Sequence, residues 1–186
     1  MASKSLHDMF LTELKDIHSA ERQLTRALPK MARAASNPDL KKAFETHLEE
    51  TQGQIERLDD VFESLGASGR SRKKCEAMEG LVAEAQEIME MGLSPDALDS
   101  ALIAAAQKVE HYEIASYGTV IAWAKAMKHD EAVKLLQETL AEEKKTDDLL
   151  TKAAQPINKK AASEAHSDQS SSGRRGDHQQ ERAAAH

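Results

Sequence analysis

The feature that most constrains this 186-residue chain is its punctuation: four long stretches of helical periodicity, paired by short turns and separated by one long connection. Leu6, Phe10, Ile17, Leu24, Leu28 and Met31 recur at three-and-four spacing and predict a first helix to about Ala35. Ser36-Asn37-Pro38-Asp39 then supplies a cap, a proline suited to a first helical position and an acid for the first turn. The second helix follows, with Leu40, Phe44, Leu48, Ile55, Leu58 and Phe62 on one side and Gly66 as its stop. A basic loop, Gly69-Arg70-Ser71-Arg72-Lys73-Lys74, leads to a shorter helix near Cys75–Met91. Ser94-Pro95-Asp96 repeats the cap-proline-acid start for a helix to about Lys128. The last helix begins near Asp130 and is expected to end near Ala154, before Pro156.

Two helical hairpins joined by a long connection give an all-α, antiparallel four-helix bundle with one crossover, the ferritin-like connectivity, whose crossover carries a short extra helix. Composition agrees. Aromatic residues make up only 3% of the chain, and Gly (8) and Pro (4) are scarce, which is poor material for a β-sandwich. The bundle is expected to occupy residues 1–156. Residues 157–186, rich in Ser, Gln and charge without apolar periodicity, read as a disordered polar tail.

Charge and cysteine content narrow the function classes. A net charge of −7 disfavours nucleic acid or an anionic membrane surface as partner. No apolar run is long enough to span a bilayer, and a single cysteine, Cys75, fits a reducing cytoplasm. There is no Gly-x-Ser-x-Gly and no glycine-rich phosphate loop.

The chemistry lies in acids placed where a core should be apolar. At about 100° per residue, Glu21 falls in the stripe between Ile17 and Leu28. Glu113 sits mid-stripe between Val109 and Val120, with Glu110 on its edge beside Tyr117. Glu143 and Asp147 share a face with Leu136, Leu140 and Leu150. On the second helix His47, Glu50 and Gln54 form a polar strip at the stripe's margin, whereas Glu138 and Glu142 point outward as solvated acids. One interior acid is most simply paired with Lys or Arg. Acids converging from four helices instead predict a dinuclear metal centre, in which cations offset desolvation and mutual repulsion. Oxygen-rich donors suit iron or manganese better than zinc. The expected ligands are Glu21, His47, Glu50, Glu110, Glu113, Glu143 and Asp147. The methionines and Cys75 read as core filler and a buried thiol.

The segments Ser19-Ala-Glu-Arg-Gln-Leu-Thr-Arg-Ala-Leu-Pro-Lys-Met, His47-Leu-Glu-Glu-Thr, Cys75-Glu-Ala-Met-Glu-Gly-Leu and Glu110-His-Tyr-Glu-Ile-Ala-Ser-Tyr-Gly closely resemble the YciE/YciF family of bacterial ferritin-like stress proteins. The resemblance covers roughly residues 4–156. It implies a rubrerythrin-like bundle with a di-iron-type site, commonly dimeric, in the general stress response. It matches the family's acids to Glu21, Glu110 and Glu113. The Glu-x-x-His pattern of rubrerythrin-type fourth helices falls on Glu143 and Thr146, so its histidine is missing. Two functions follow as expectations: a di-metal oxidoreductase reducing peroxide or oxygen, or a non-enzymatic iron-binding or scaffold protein.

Overall fold

The structure, a computed structural model, describes residues 3–69 and 73–183, with side chains described as far as Ser163. Arg70, Ser71 and Arg72 of the basic loop lie outside the described residues. Five helices follow one another among the described residues: α1 (Leu6–Ala34), α2 (Pro38–Ser64), α3 (Glu76–Glu90), α4 (Pro95–Ala126) and α5 (Asp130–Ala183). No strand occurs among the described residues. The caps are those the sequence offers. Ser5 and Asp8 form a capping box on α1, and Asn37 accepts from the Asp39 and Leu40 amides to start α2. The Cys75 sulfur accepts from the Met78 amide to start α3, and Ser94 caps α4. Gly66 and Gly92, at φ of 60° and 71°, take the left-handed conformation that closes α2 and α3.

α1 packs on α2 and α4 on α5, and the hairpins join through α1–α4 and α2–α5 contacts. Tertiary hydrogen bonds fix the directions. Asp99, at the start of α4, accepts from the Ser36 and Asn37 amides at 2.7 and 2.8 Å, beside the end of α1. At the other end, His129 of the α4–α5 turn stacks on Phe10 near the start of α1. Each neighbouring pair therefore runs antiparallel, and α3 lies along the side formed by α1 and α4. Two apolar clusters fill the interior. One is centred on Leu24, Leu28, Phe44 and Leu102, the other on Phe10, Leu14, Leu58 and Val120. Polar residues occupy the layer between them.

The end expected for the last helix is corrected. α5 continues through Pro156, because the turn beyond it is anchored. Ile157 is buried in the first cluster, Ser100 donates to Asn158 at 2.6 Å, and Lys160 pairs with Asp96 at 2.7 Å. These contacts offset the carbonyl clash and lost hydrogen bond of an internal proline, on the order of 3 kcal/mol. The interior of the fold thus extends past residue 156.

Candidate metal centre

Between the two apolar clusters the bundle buries a knot of acids and one imidazole. Glu21 from α1, His47 from α2, Glu110 and Glu113 from α4 and Glu143 from α5 are each at most 3% exposed. One ligand atom from each of His47, Glu110, Glu113 and Glu143 lies within 4.8 Å of the other three. His47 Nε2 stands 3.4 Å from Glu110 Oε1. Glu21 completes the knot from the side, its Oε1 accepting from the Tyr117 hydroxyl at 2.5 Å.

Most polar atoms of this group have no hydrogen-bond partner among the described residues. Both oxygens of Glu113 and of Glu143, one each of Glu21 and Glu110, and both ring nitrogens of His47 are unpartnered. Buried polar atoms are ordinarily satisfied, and each orphaned group costs about 1–3 kcal/mol. Burial, then the charge of Glu143, pushes the Glu21 and Glu110 carboxyls well above the usual range. Glu113 is raised in the same way by burial and then by Glu21 and Glu143. Burial raises Glu143 to about 7 and lowers His47 to about 4. The imidazole is therefore neutral near pH 7 and available as a metal donor. Clustered oxygen donors with one imidazole form a set that can hold a cation, and a cation would satisfy the orphaned atoms and the repulsion together.

Three expected ligands are not in the four-residue group: Glu21, which joins it from α1, and Glu50 and Asp147. Glu50 is only partly buried and pairs with Lys145 at 3.2 Å. Asp147 meets His111 at 3.3 Å and Gln107 Nε2 at 3.2 Å. Both stand at the margin, where Asp147 contributes to raising Glu110 and Glu50 to raising Glu143. The reason is helix rotation. The buried face of α5 runs Leu136, Thr139, Glu143, Thr146, Leu150, which leaves Leu140 and Asp147 at its edge. On α2 it runs His47, Thr51, Gln54, Leu58, so His47 is central and Glu50 lateral.

Glu142 is a further correction. Rather than being solvated, it receives two hydrogen bonds from the Arg57 guanidinium, at 2.9 and 3.0 Å, and one from Gln54 Nε2 at 3.1 Å. Arg57 also donates to Thr139 at 2.6 Å. This clamp ties α2 to α5 beside Glu143. Arg57 lies three residues after Gln54, on the polar side of α2, and that spacing was the signal available for it. A second polar contact flanks the knot near α3, where Cys75 Sγ and the Tyr112 hydroxyl lie 3.0 Å apart and Tyr112 donates to Asp16 at 3.3 Å.

An antiparallel four-helix bundle with a side-packed crossover helix and an interior layer of carboxylates defines a ferritin-like helical protein. The chain belongs to the family described as a domain of unknown function, DUF892, whose model matches residues 5–163. It is 55% identical to Protein YciF of Escherichia coli strain K12 over 166 residues, covering 89% of this chain and all of that protein. The crystal structure of the E. coli stress protein YciF superposes with a TM-score of 0.82 at 54% identity, over 85% of this chain and 99% of that one. YcfI from Rhodopseudomonas palustris, which carries a provisional structural-protein designation, gives 0.77 at 48% identity over 80% and 94%. A Xanthomonas campestris protein gives 0.68 at 20% identity over 87% and 98%, a likeness of fold alone. The resemblance seen in the sequence segments thus holds across the chain. No helix among the described residues is long and apolar enough to cross a membrane.

Proposed function

We propose that this homologue of a stress protein holds a pair of iron or manganese ions in the buried layer and reduces peroxide or oxygen there. Glu21, His47, Glu110, Glu113 and Glu143 would hold the ions, with Glu50 and Asp147 at the margin turning inward only if their present partners are released. The observation that carries the reading is the set of unpartnered, buried donor atoms on Glu113, Glu143 and His47. The chemistry supplied on binding is polarisation and reduction of an O–O bond at adjacent redox ions. The chain's own part is to keep the donors dry and oriented. Tyr117 holds Glu21, and the Arg57–Glu142–Gln54 clamp holds the α2–α5 wall. The chain has one cysteine and hence no paired-cysteine iron site of its own, so electrons come from an external donor. We further place the protein in the cytoplasm as a homodimer, in keeping with the family resemblance.

A second reading is a non-enzymatic scaffold, supported by the structural-protein designation of YcfI. Metal analysis of protein purified without chelators, followed by peroxide consumption after iron or manganese loading, separates the two. About two ions per chain with peroxide turnover supports the first. Metal without turnover supports the scaffold reading, and protein that takes up no metal under either loading overturns the metal centre.

A further inference from the structure

A cavity of about 340 Å³ between α1, α2, α4 and α5 abuts the acidic knot on one side. Leu24, Leu28, Met31, Phe44, Val109 and Leu150 form its apolar walls. Of the five residues in the knot, only His47 and Glu110 line it. Their side chains are 4% and 2% exposed, His47 Nε2 lies 3.4 Å from Glu110 Oε1, and both His47 nitrogens and Glu110 Oε2 lack a hydrogen-bond partner among the described residues. At the mouth, Leu149 is 49% exposed. The rim charges balance: Asp39 stands with Lys42, and Glu50 pairs with Lys145 at 3.2 Å. An entering ion of either sign therefore meets no excess of opposite charge. Apolar walls converging on a few buried polar atoms form the usual layout of a small-molecule site.

We infer that this cavity binds an uncharged aliphatic molecule with one polar end, its chain against the Leu, Met, Phe and Val walls and its polar end at His47 and Glu110. At the ~30 Å³ taken up by a water-sized group, the space holds on the order of ten heavy atoms. The inference goes beyond the proposed function and stands apart from it: it names the class of molecule that the cavity beside the knot takes.

The test is calorimetric titration of the full-length protein, metal-free and metal-loaded, with straight-chain primary alcohols from hexanol to dodecanol. Each added methylene should tighten binding about fourfold, equivalent to ~0.8 kcal/mol per buried methylene, until the cavity is full and affinity levels off. Ala153→Phe, which intrudes at the half-buried mouth, should weaken the longer alcohols about tenfold or more with an unchanged melting temperature. Ala106→Val, a smaller intrusion from α4, should act in the same direction. Affinity that keeps rising with length, or that ignores both substitutions, marks partition onto open apolar surface and overturns the inference. Metal content measured on the same samples keeps the two readings apart. Absence of alcohol binding with metal taken up overturns only the cavity assignment, and alcohol binding by protein that takes up no metal on loading leaves the cavity standing and overturns the metal function.

Discussion

The Tyr117 hydroxyl donates to Glu21 Oε1 at 2.5 Å, and both side chains are fully buried. The bond favours the charged carboxylate of Glu21 against the burial that raises it, while burial and then Glu21 push the Tyr117 hydroxyl well above its ordinary range. Tyr117 therefore remains a donor at all ordinary pH. Tyr117→Phe keeps the ring and removes the bond to Glu21 Oε1. We expect a loss of about 1–3 kcal/mol, the range for leaving a buried acceptor without its partner, visible as a lower denaturation midpoint with unchanged slope. A midpoint equal to that of the parent would show that the bond contributes nothing to stability.

The metal-free protein should grow more stable as pH falls from 8 to about 6.5. Glu21, Glu110 and Glu113 are raised well above the ordinary carboxyl range, and Glu143 to about 7. The folded state then binds protons that the unfolded state does not, so protonation favours folding, by ~1.4 kcal/mol per pH unit for each proton taken up. Below about 6.5 the lowered His47 and His18 act in the opposite direction, since the unfolded chain then takes up the extra proton. Thermal melts of apo protein at pH 8 and 6.5 check the sign. If the acids were instead paired with Lys or Arg, acidification would lower the melting temperature, and bound metal should flatten the dependence.

Glu21 was legible because α1 carries a clear aliphatic stripe around it, and Glu110 and Glu113 because Val109, Tyr117 and Val120 bracket them on the buried side of α4. The register of α2 and α5 was not, because threonine occupies core positions there. Thr51, Thr139 and Thr146 are buried but read as polar, and they shift the apparent stripe towards Ile55 and Leu140. Thr51 meets its own need by donating to the His47 carbonyl at 2.7 Å, a bond that no apolar pattern reveals. Pro156 misled for a related reason, since a local stop signal was overridden by tertiary anchors at Ile157, Asn158 and Lys160.

The Arg57–Glu142 pair should behave as a partly buried clamp rather than a surface ion pair. The Arg57 side chain is 18% exposed and Glu142 30%, and the fork is bidentate, with Thr139 and Gln54 attached. A double-mutant cycle with Arg57→Ala and Glu142→Ala should give a coupling of about 1–2 kcal/mol, above the few tenths typical of exposed pairs. Coupling near zero would make the clamp incidental.

We propose that the polar segment beyond Ser163 is dispensable for stability, whereas the turn around Ile157 is not. A chain ending at Ser163 retains Ile157, the Asn158 contact and the Lys160–Asp96 pair, so its melting temperature should match that of the full chain. A chain ending at Gln155 loses all three. Ile157→Ala alone should cost about 2–5 kcal/mol through lost burial and the cavity left behind. Destabilisation of the longer truncate would show that the end of the chain docks on the bundle.

Replacing Glu113 should move metal content and apo stability in opposite directions. Both of its oxygens are unpartnered, it is 1% exposed, and it lies within 4.8 Å of donor atoms on His47, Glu110 and Glu143. Without a cation, burial and the charges of Glu21 and Glu143 dominate at such a group. Glu113→Met has similar length and no charge, so the metal-free variant should be more stable than the metal-free parent by about 1–3 kcal/mol. With iron or manganese present the order should reverse, because the parent gains binding free energy that the variant has lost, and ions bound per chain should fall sharply. Glu113→Ala should lose metal as well but without the apo gain, since it leaves a void where Met fills one. A structural carboxyl would give a different pattern, with Glu113→Met destabilising at every metal concentration and the parent's melting temperature indifferent to iron and manganese. Paired thermal melts and metal analysis of the three proteins decide between them.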